Sequence, residues 1–232
     1  DAASNAAQVV LLDSDFSKMP EVVLEGRRVV NNIQRSASLF LVKNIFSILT
    51  TVFTLIAANL YPLYPTQLSL LGAFTIGTPA FFLALQPNKN LIRGDFLVNV
   101  ILKALPAGLA DFIMLAAISI HGNIAGMSNE QISTVAITIL LLIGMAALVR
   151  ICRPLNGLRI TVCVLMAAGI VVCMLKFKKI FAIATLTTAM LEMIIIYAVI
   201  AAVLFCVMCK SVGGWIDYME SHSRRFKRLL KG

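Results

Sequence analysis

Apolar residues run in six long blocks along this chain, and polar residues gather between them. The blocks cover residues 37–60, 66–85, 96–120, 131–149, 158–175 and 190–208. An α-helix needs about 20 mostly apolar residues to cross a bilayer, so the pattern predicts six transmembrane helices. The first block continues an amphipathic stretch. Ser17 and Pro20 signal a helix start. From there Val22, Val23, Val29, Val30 and Ile33 fall on one side, while Glu25, Arg27, Arg28 and Arg35 stay polar. One long helix should therefore rise from a polar region into the membrane. Ahead of it, residues 8–12 (QVVLL), stopped by Asp13, Ser14 and Asp15, predict a short buried strand. Beyond the last block, Trp215, Tyr218, Phe226, Leu229 and Leu230 alternate with five Lys and Arg residues. That suits an interfacial helix on an anionic leaflet, or a solvated basic tail.

Composition agrees with the blocks. Of 232 residues, 59% are hydrophobic and only 13% charged, too little polar surface for a soluble domain of this length. The net charge of +9 sits at block ends, which points to basic cytoplasmic loops and away from nucleic acid. Arg27, Arg28 and Arg35 precede the first block, Lys89 and Arg93 follow the second, and Arg150, Arg153 and Arg159 separate the fourth from the fifth. Lys210, Arg224, Arg225, Lys227, Arg228 and Lys231 follow the sixth. Six spans place all of these on one side, which the positive-inside rule makes cytoplasmic, with both termini there. The opposite connections, 61–65 and 121–130, contain no Lys or Arg. Lys176, Lys178 and Lys179 break the pattern and are expected to snorkel at the outer interface. The opening at Asp1, without methionine or a signal core, is expected of a chain truncated at its N-terminus.

Polar side chains inside apolar blocks are the functional candidates. Asn44, Ser47, Thr51 and Thr54 are spaced three, four and three apart, so they share one helix face. Such a stripe can line a cation path, or bond to a neighbouring helix. In the second block Gly72, Thr75, Thr78 and Pro79 cluster. Pro79 leaves the Thr75 carbonyl without its helical donor, and a loosened backbone can coordinate an ion or be a tolerated kink. Asp111 and Glu192 are the two carboxylates well inside blocks; Asp111 lies deep, whereas Glu192 is placed to snorkel outward. Lys43 and Lys103 are candidate partners, although Lys103 is two turns from Asp111. Cys206 and Cys209 form a lone CxxC, read as packed membrane cysteines, and the five cysteines suggest no disulfide framework. His121 and His222 show no ligand spacing, and no self-contained catalytic motif is present.

The run from Ala6 to Ser17 (AAQVVLLDSDFS), followed by Glu25-Gly26-Arg27-Arg28 and Asn32-Ile33, resembles the end of the phosphorylation domain of P-type ATPases and its passage into the fifth membrane helix. Pro79-Ala80 and Gln86-Pro87 resemble the sixth helix and its exit, and the six blocks resemble helices five to ten of these pumps. The stalk wording is most similar to the bacterial cation-transporting ATPase E group. The resemblance implies an all-α membrane fold: a six-helix transmembrane bundle, a long cytoplasmic stalk helix and a short remnant of an α/β domain. The expected division is 1–19 remnant, 20–36 stalk, 37–209 membrane helices and 210–232 basic cytoplasmic tail. It also implies a plasma-membrane pump driven by ATP and Mg, both bound by upstream domains of the same polypeptide, so that this stretch alone is inactive. Calcium pumps of the family place carboxylates at positions that match Ser47 and Ile76 here, beside Asn44, Gly72 and Thr75. Charge for a transported cation is then expected from Asp111 or from a fourth helix. The alternatives are a lipid or polyamine cargo within the same family, or a six-span permease without ATPase chemistry.

Overall fold

The first helix begins at Asp15, whose side chain accepts a hydrogen bond from the Ser17 amide at 2.9 Å. A single 3₁₀ turn, Phe16–Lys18, then runs directly into α1, Met19–Ala57. Pro20 occupies its first turn, where a missing N–H costs nothing. The computed structural model describes residue 7, residue 10 and residues 15–57, 61–86, 91–92 and 94–229, with side chains up to Gly214. The predicted strand at 8–12, Val10 excepted, lies outside these residues, as do Lys89, Arg93 and the side chains of the basic tail.

With 39 residues, α1 is about 58 Å long at 1.5 Å per residue, nearly twice a hydrocarbon core. Five further helices follow: α2 (Pro65–Ala84), α3 (Phe96–Ile124), α4 (Asn129–Ile151), α5 (Gly157–Lys176) and α6 (Thr188–Leu229). All six are long and apolar enough to cross a membrane. Among the described residues there is no strand, and the molecule is an all-α membrane bundle. The third helix runs four residues past its expected end at Ile120, and the sixth continues unbroken through the stretch expected to lie at the interface.

The core lies on α4, where 72% of the apolar window is buried, against 17% for α5. Ile137, Ile139 and Leu140 of α4 cluster with Met114, Leu115 and Ile118 of α3, Phe46 of α1 and Met190 of α6, while Leu148 of α4 joins a second cluster with Leu39 of α1, Leu83 of α2 and Met166 of α5. Small residues set the closest approaches. A methyl at Gly108 would lie 2.9 Å from Ile45 Cβ and 3.1 Å from the Val42 carbonyl oxygen, so α1 and α3 touch almost backbone to side chain. The exposed faces of α5 and α6 carry Val164, Leu165, Ile195, Val199 and Val203, as a lipid-facing surface should.

Polar clasps close the two ends of the bundle. At the near end, where α1 rises and α2 finishes, Asn32 Nδ2 donates to the Ala84 carbonyl at 2.9 Å and to the Gln86 carbonyl at 3.0 Å. Gln86 Oε1 in turn accepts from Arg159 Nε at 2.6 Å, and Arg159 Nη1 donates to the Cys152 and Pro154 carbonyls at 3.1 and 2.5 Å. At the far end Gln67 Nε2 donates to Ser133 Oγ at 3.3 Å and to the Ala182 carbonyl at 3.1 Å, pinning the α5–α6 connection. There α4 starts with a capping box: Ser128 Oγ accepts from the Gln131 amide at 3.3 Å and Gln131 Oε1 accepts from the Ser128 amide at 3.0 Å. Ser128→Ala should lower stability by about 1 kcal/mol, read as a fall in thermal midpoint. An unchanged midpoint would mean that tertiary packing alone fixes the start of α4.

Candidate functional site

The polar stripe predicted on the first span exists, and its direction is informative. Val42, Phe46 and Thr50 bury one face of α1 in the core. Asn44 and Thr51 point the other way and are exposed, with Ser47 and Thr54 half-buried between them. Thr51 Oγ1 donates back to the Ser47 carbonyl at 2.8 Å, and Thr54 Oγ1 to the Thr51 carbonyl at 2.9 Å. The Thr51 hydroxyl lone pairs and the Asn44 amide therefore remain available on an edge that these six helices do not cover, while Ser47 lies within reach of the Tyr61 hydroxyl. In hydrocarbon such a face needs protein or a water-filled path against it.

On the flank of α1 that carries Lys43, α2 loses its α-helical regularity. Residues Ala73–Gly77 form a π-helical turn, closed by the Thr78 amide donating to the Ala73 carbonyl. Pro79, one residue later, has no N–H to offer, which favours widening over a regular turn. Lys43 reaches this turn: its Nζ lies 3.7 Å from where a methyl on Gly72 would sit. Gly72 is thus brought near Lys43, the residue before Asn44. Thr78 is exposed, whereas Thr75 turns inward. Its hydroxyl donates to the Leu71 carbonyl at 2.6 Å, and its Cγ2 fills the notch left by Gly144 of α4.

Asp111 is 2% exposed on α3, and its Oδ1 has no hydrogen-bond partner. A buried carboxyl oxygen without a partner is costly and calls for a compensating group. Phe112, next along the helix, makes an edge-on contact with Phe53 of α1 at 6.2 Å between ring centres. Asp111 lies one helical turn beyond Gly108, where α3 packs against Val42 and Ile45 of α1. Glu192 is exposed. Cys206 is exposed and Cys209 half-buried, both free thiols. His121 Nδ1 lies 3.1 Å from the Tyr197 hydroxyl. No group of three or more His, Cys, Asp or Glu side chains among the described residues is placed to share a metal ion.

Two features escaped the sequence. One is a cavity of about 700 Å³ at the far end, lined by Phe53, Tyr61, Tyr64, Ser119, Asn123 and Asn129 among others. Burial raises the Tyr61 phenol above its ordinary value there. Paired asparagines flanking a short turn were the available signal. The other is the near-end clasp. Arg159 counted only as a loop charge, although its place three residues after the Asn156 cap already puts it inside the helix.

No family model matches the chain. Among curated proteins, a probable cation-transporting ATPase of Streptococcus pneumoniae is 32% identical over 214 residues, which are 88% of this chain and 28% of that protein. A calcium-transporting ATPase, CtpE, of Mycobacterium bovis is 36% identical over 184 residues, 73% of this chain and 23% of that protein. A P-type sodium-transporting ATPase of Toxoplasma gondii is 34% identical over 90 residues, 39% of this chain and 7% of that protein. The chain thus spans between a quarter and a third of the first relative and less than a quarter of the second.

Proposed function

Because the chain belongs to the P-type cation-transporting ATPases, corresponding to their C-terminal part, we propose that it forms the membrane domain of an ATP-driven pump and part of its cation path. The observation that carries this reading is the polar edge of α1, with Asn44 and Thr51 uncovered and Ser47 half-buried, flanked by Lys43, which reaches the α2 turn at Gly72. Membrane helices from the rest of the pump would cover that face and complete a cage of neutral oxygens, a ligand set suited to a hard cation. Lys43 contributes a fixed positive charge at one edge of the cage, and Asp111 a carboxylate deeper in the bundle.

In this reading ATP and Mg are held by parts of the pump outside this chain, whose residues do not fit them, and no chemical step is routed through it. The chain supplies the bilayer passage and the link to it. The near end is cytoplasmic by the charge of its connections, both termini lie there, and the membrane is the bacterial plasma membrane. Residues 1–19 close the phosphorylation domain and 20–36 form the stalk. The relatives named above transport cations, two of them calcium or sodium by name, which favours a metal cation over a lipid or polyamine.

The test is cation-stimulated ATPase activity of the full-length pump in proteoliposomes, across a panel of cations. The double variant Asn44→Ala/Thr51→Ala should raise the half-activating concentration of the transported cation several-fold, with phosphorylation by ATP retained. Equal half-activating concentrations in variant and parent would remove the α1 face from the path. Stimulation by polyamines or lipids in place of metal cations would replace the cargo.

A further inference from the structure

The far-end cavity of about 700 Å³ is walled by four parts of this chain: Phe53 of α1, the connection at 61–64, the C-terminal end of α3 and the N-terminal end of α4. It has room for on the order of 20 water molecules at about 30 Å³ each. Its depth is graded: Asn123 and Asn129 are exposed at the mouth, whereas Ser119 is 6% exposed. Hydroxyls, amides and the rings of Phe53, Tyr61 and Tyr64 contribute to the wall, and none of the described residues lining it is charged.

The inner wall of the cavity meets the hydroxyls of α1. Thr50, one turn before Phe53, is 0% exposed, and its Oγ1 has no hydrogen-bond partner. A buried hydroxyl without a partner is costly and marks a place where a water or an ion fits. The Tyr61 ring lines the cavity, and its hydroxyl lies within reach of Ser47 and Thr50 without closing a bond to Thr50. Tyr61 thus stands between the cavity and the polar residues of α1. Neutral oxygens and aromatic faces, with no Lys or Arg among them, can receive a hydrated cation and give an anion no counter-charge. Resting on the reading of the chain as part of a cation pump, we propose that this cavity is the far-side vestibule of the path, with the Tyr61 side chain as its inner gate. Hydrated cation collects in the cavity, and a swing of the Tyr61 ring opens the way to the Ser47 and Thr50 hydroxyls.

Thiol accessibility in the full-length pump, reconstituted in proteoliposomes, tests this separately from turnover. A methanethiosulfonate carrying a trimethylammonium group is added on the far side. Peptide mass spectrometry then quantifies modification at the introduced position alone, so native thiols do not interfere. Ser119→Cys should be modified, as Asn123→Cys at the mouth is, and the modified protein should lose most of its cation-stimulated ATPase activity. Thr50→Cys should resist the reagent while Tyr61 is present, and Tyr61→Ala should speed its modification at least tenfold. Tyr61→Phe, which keeps the ring and loses the hydroxyl, should speed it several-fold, a result that stands even if the alanine variant fails to fold. Ser119→Cys left unmodified in an active pump overturns the proposal, in favour of a cavity filled by another part of the pump. Full activity after modification also overturns it, because the cavity would then lie off the path. Unchanged rates at Thr50→Cys in both Tyr61 variants overturn the gate. A parent without cation-stimulated activity that keeps the same accessibility pattern would instead count against the pump reading.

Discussion

Asp111→Asn in the full-length pump is expected to raise the cation concentration for half-maximal ATPase stimulation by about 10- to 100-fold, the range seen when a group that tunes a metal site is lost. That corresponds to about 1.4–2.7 kcal/mol of lost affinity. The substitution keeps the shape and one acceptor oxygen and removes only the charge. Asp111 is buried to 2% exposure with Oδ1 unpartnered, whereas Glu192, the other acid inside the apolar blocks, faces outward. A protein that keeps an unpaired acid in its core usually has a use for it. Thermal stability should hold or rise, because a neutral amide is easier to bury than a carboxylate. The two readouts together separate the possibilities. A more stable variant with the same cation response would make Asp111 a structural relic and take it out of the path.

Gly108→Val is expected to be the most damaging single change to the bundle itself. The first added carbon would already lie 2.9 Å from Ile45 Cβ and 3.1 Å from the Val42 carbonyl oxygen. A carbonyl within α1 cannot swing aside as a flexible side chain would. Helix α1 must therefore move off α3, and overpacking of this kind costs about 1–3 kcal/mol. Gly26→Ala is the matched control. Its new methyl meets nothing within 4 Å, and it removes a glycine from an exposed helix interior, which should raise stability by about 0.5–1 kcal/mol. Thermal midpoints of the two variants should move in opposite directions. A valine tolerated at 108 would show that the α1–α3 seam is loose.

The six spans were legible because the bilayer demands a run of apolar residues that no soluble helix needs. The α1 stripe was legible for a similar reason: spacing alone puts Asn44, Ser47 and Thr51 on one face. Which way that face looks was not legible, since it depends on Phe46 and Val42 winning the core. The same limit applied to Thr75. Pro79 marked the disturbance in α2, but only packing sends the Thr75 methyl into the notch at Gly144. The near-end clasp joins Gln86 to Arg159, 73 positions apart, and no local pattern encodes such a meeting. Helix ends slipped where nothing punctuates the chain: α3 runs to Ile124 because His121 and Asn123 extend it to the positive-φ Gly126.

The widened turn in α2 also sets the angular phase of everything after it. One surplus residue there advances the remaining segment by about 100° relative to an uninterrupted α-helix. Pro79, Ala80 and Leu83 consequently meet the neighbours, while Phe81 and Leu85 look outward. Excising any one residue between Ala73 and Gly77 would rewind the coil, bring Phe81 to the buried place of Ala80, turn Pro79 and Leu83 outward and carry the Ala84 and Gln86 carbonyls away from Asn32. The insertion thus works as a splice between two differently oriented half-helices, and a change in its winding would register at both ends of the span at once.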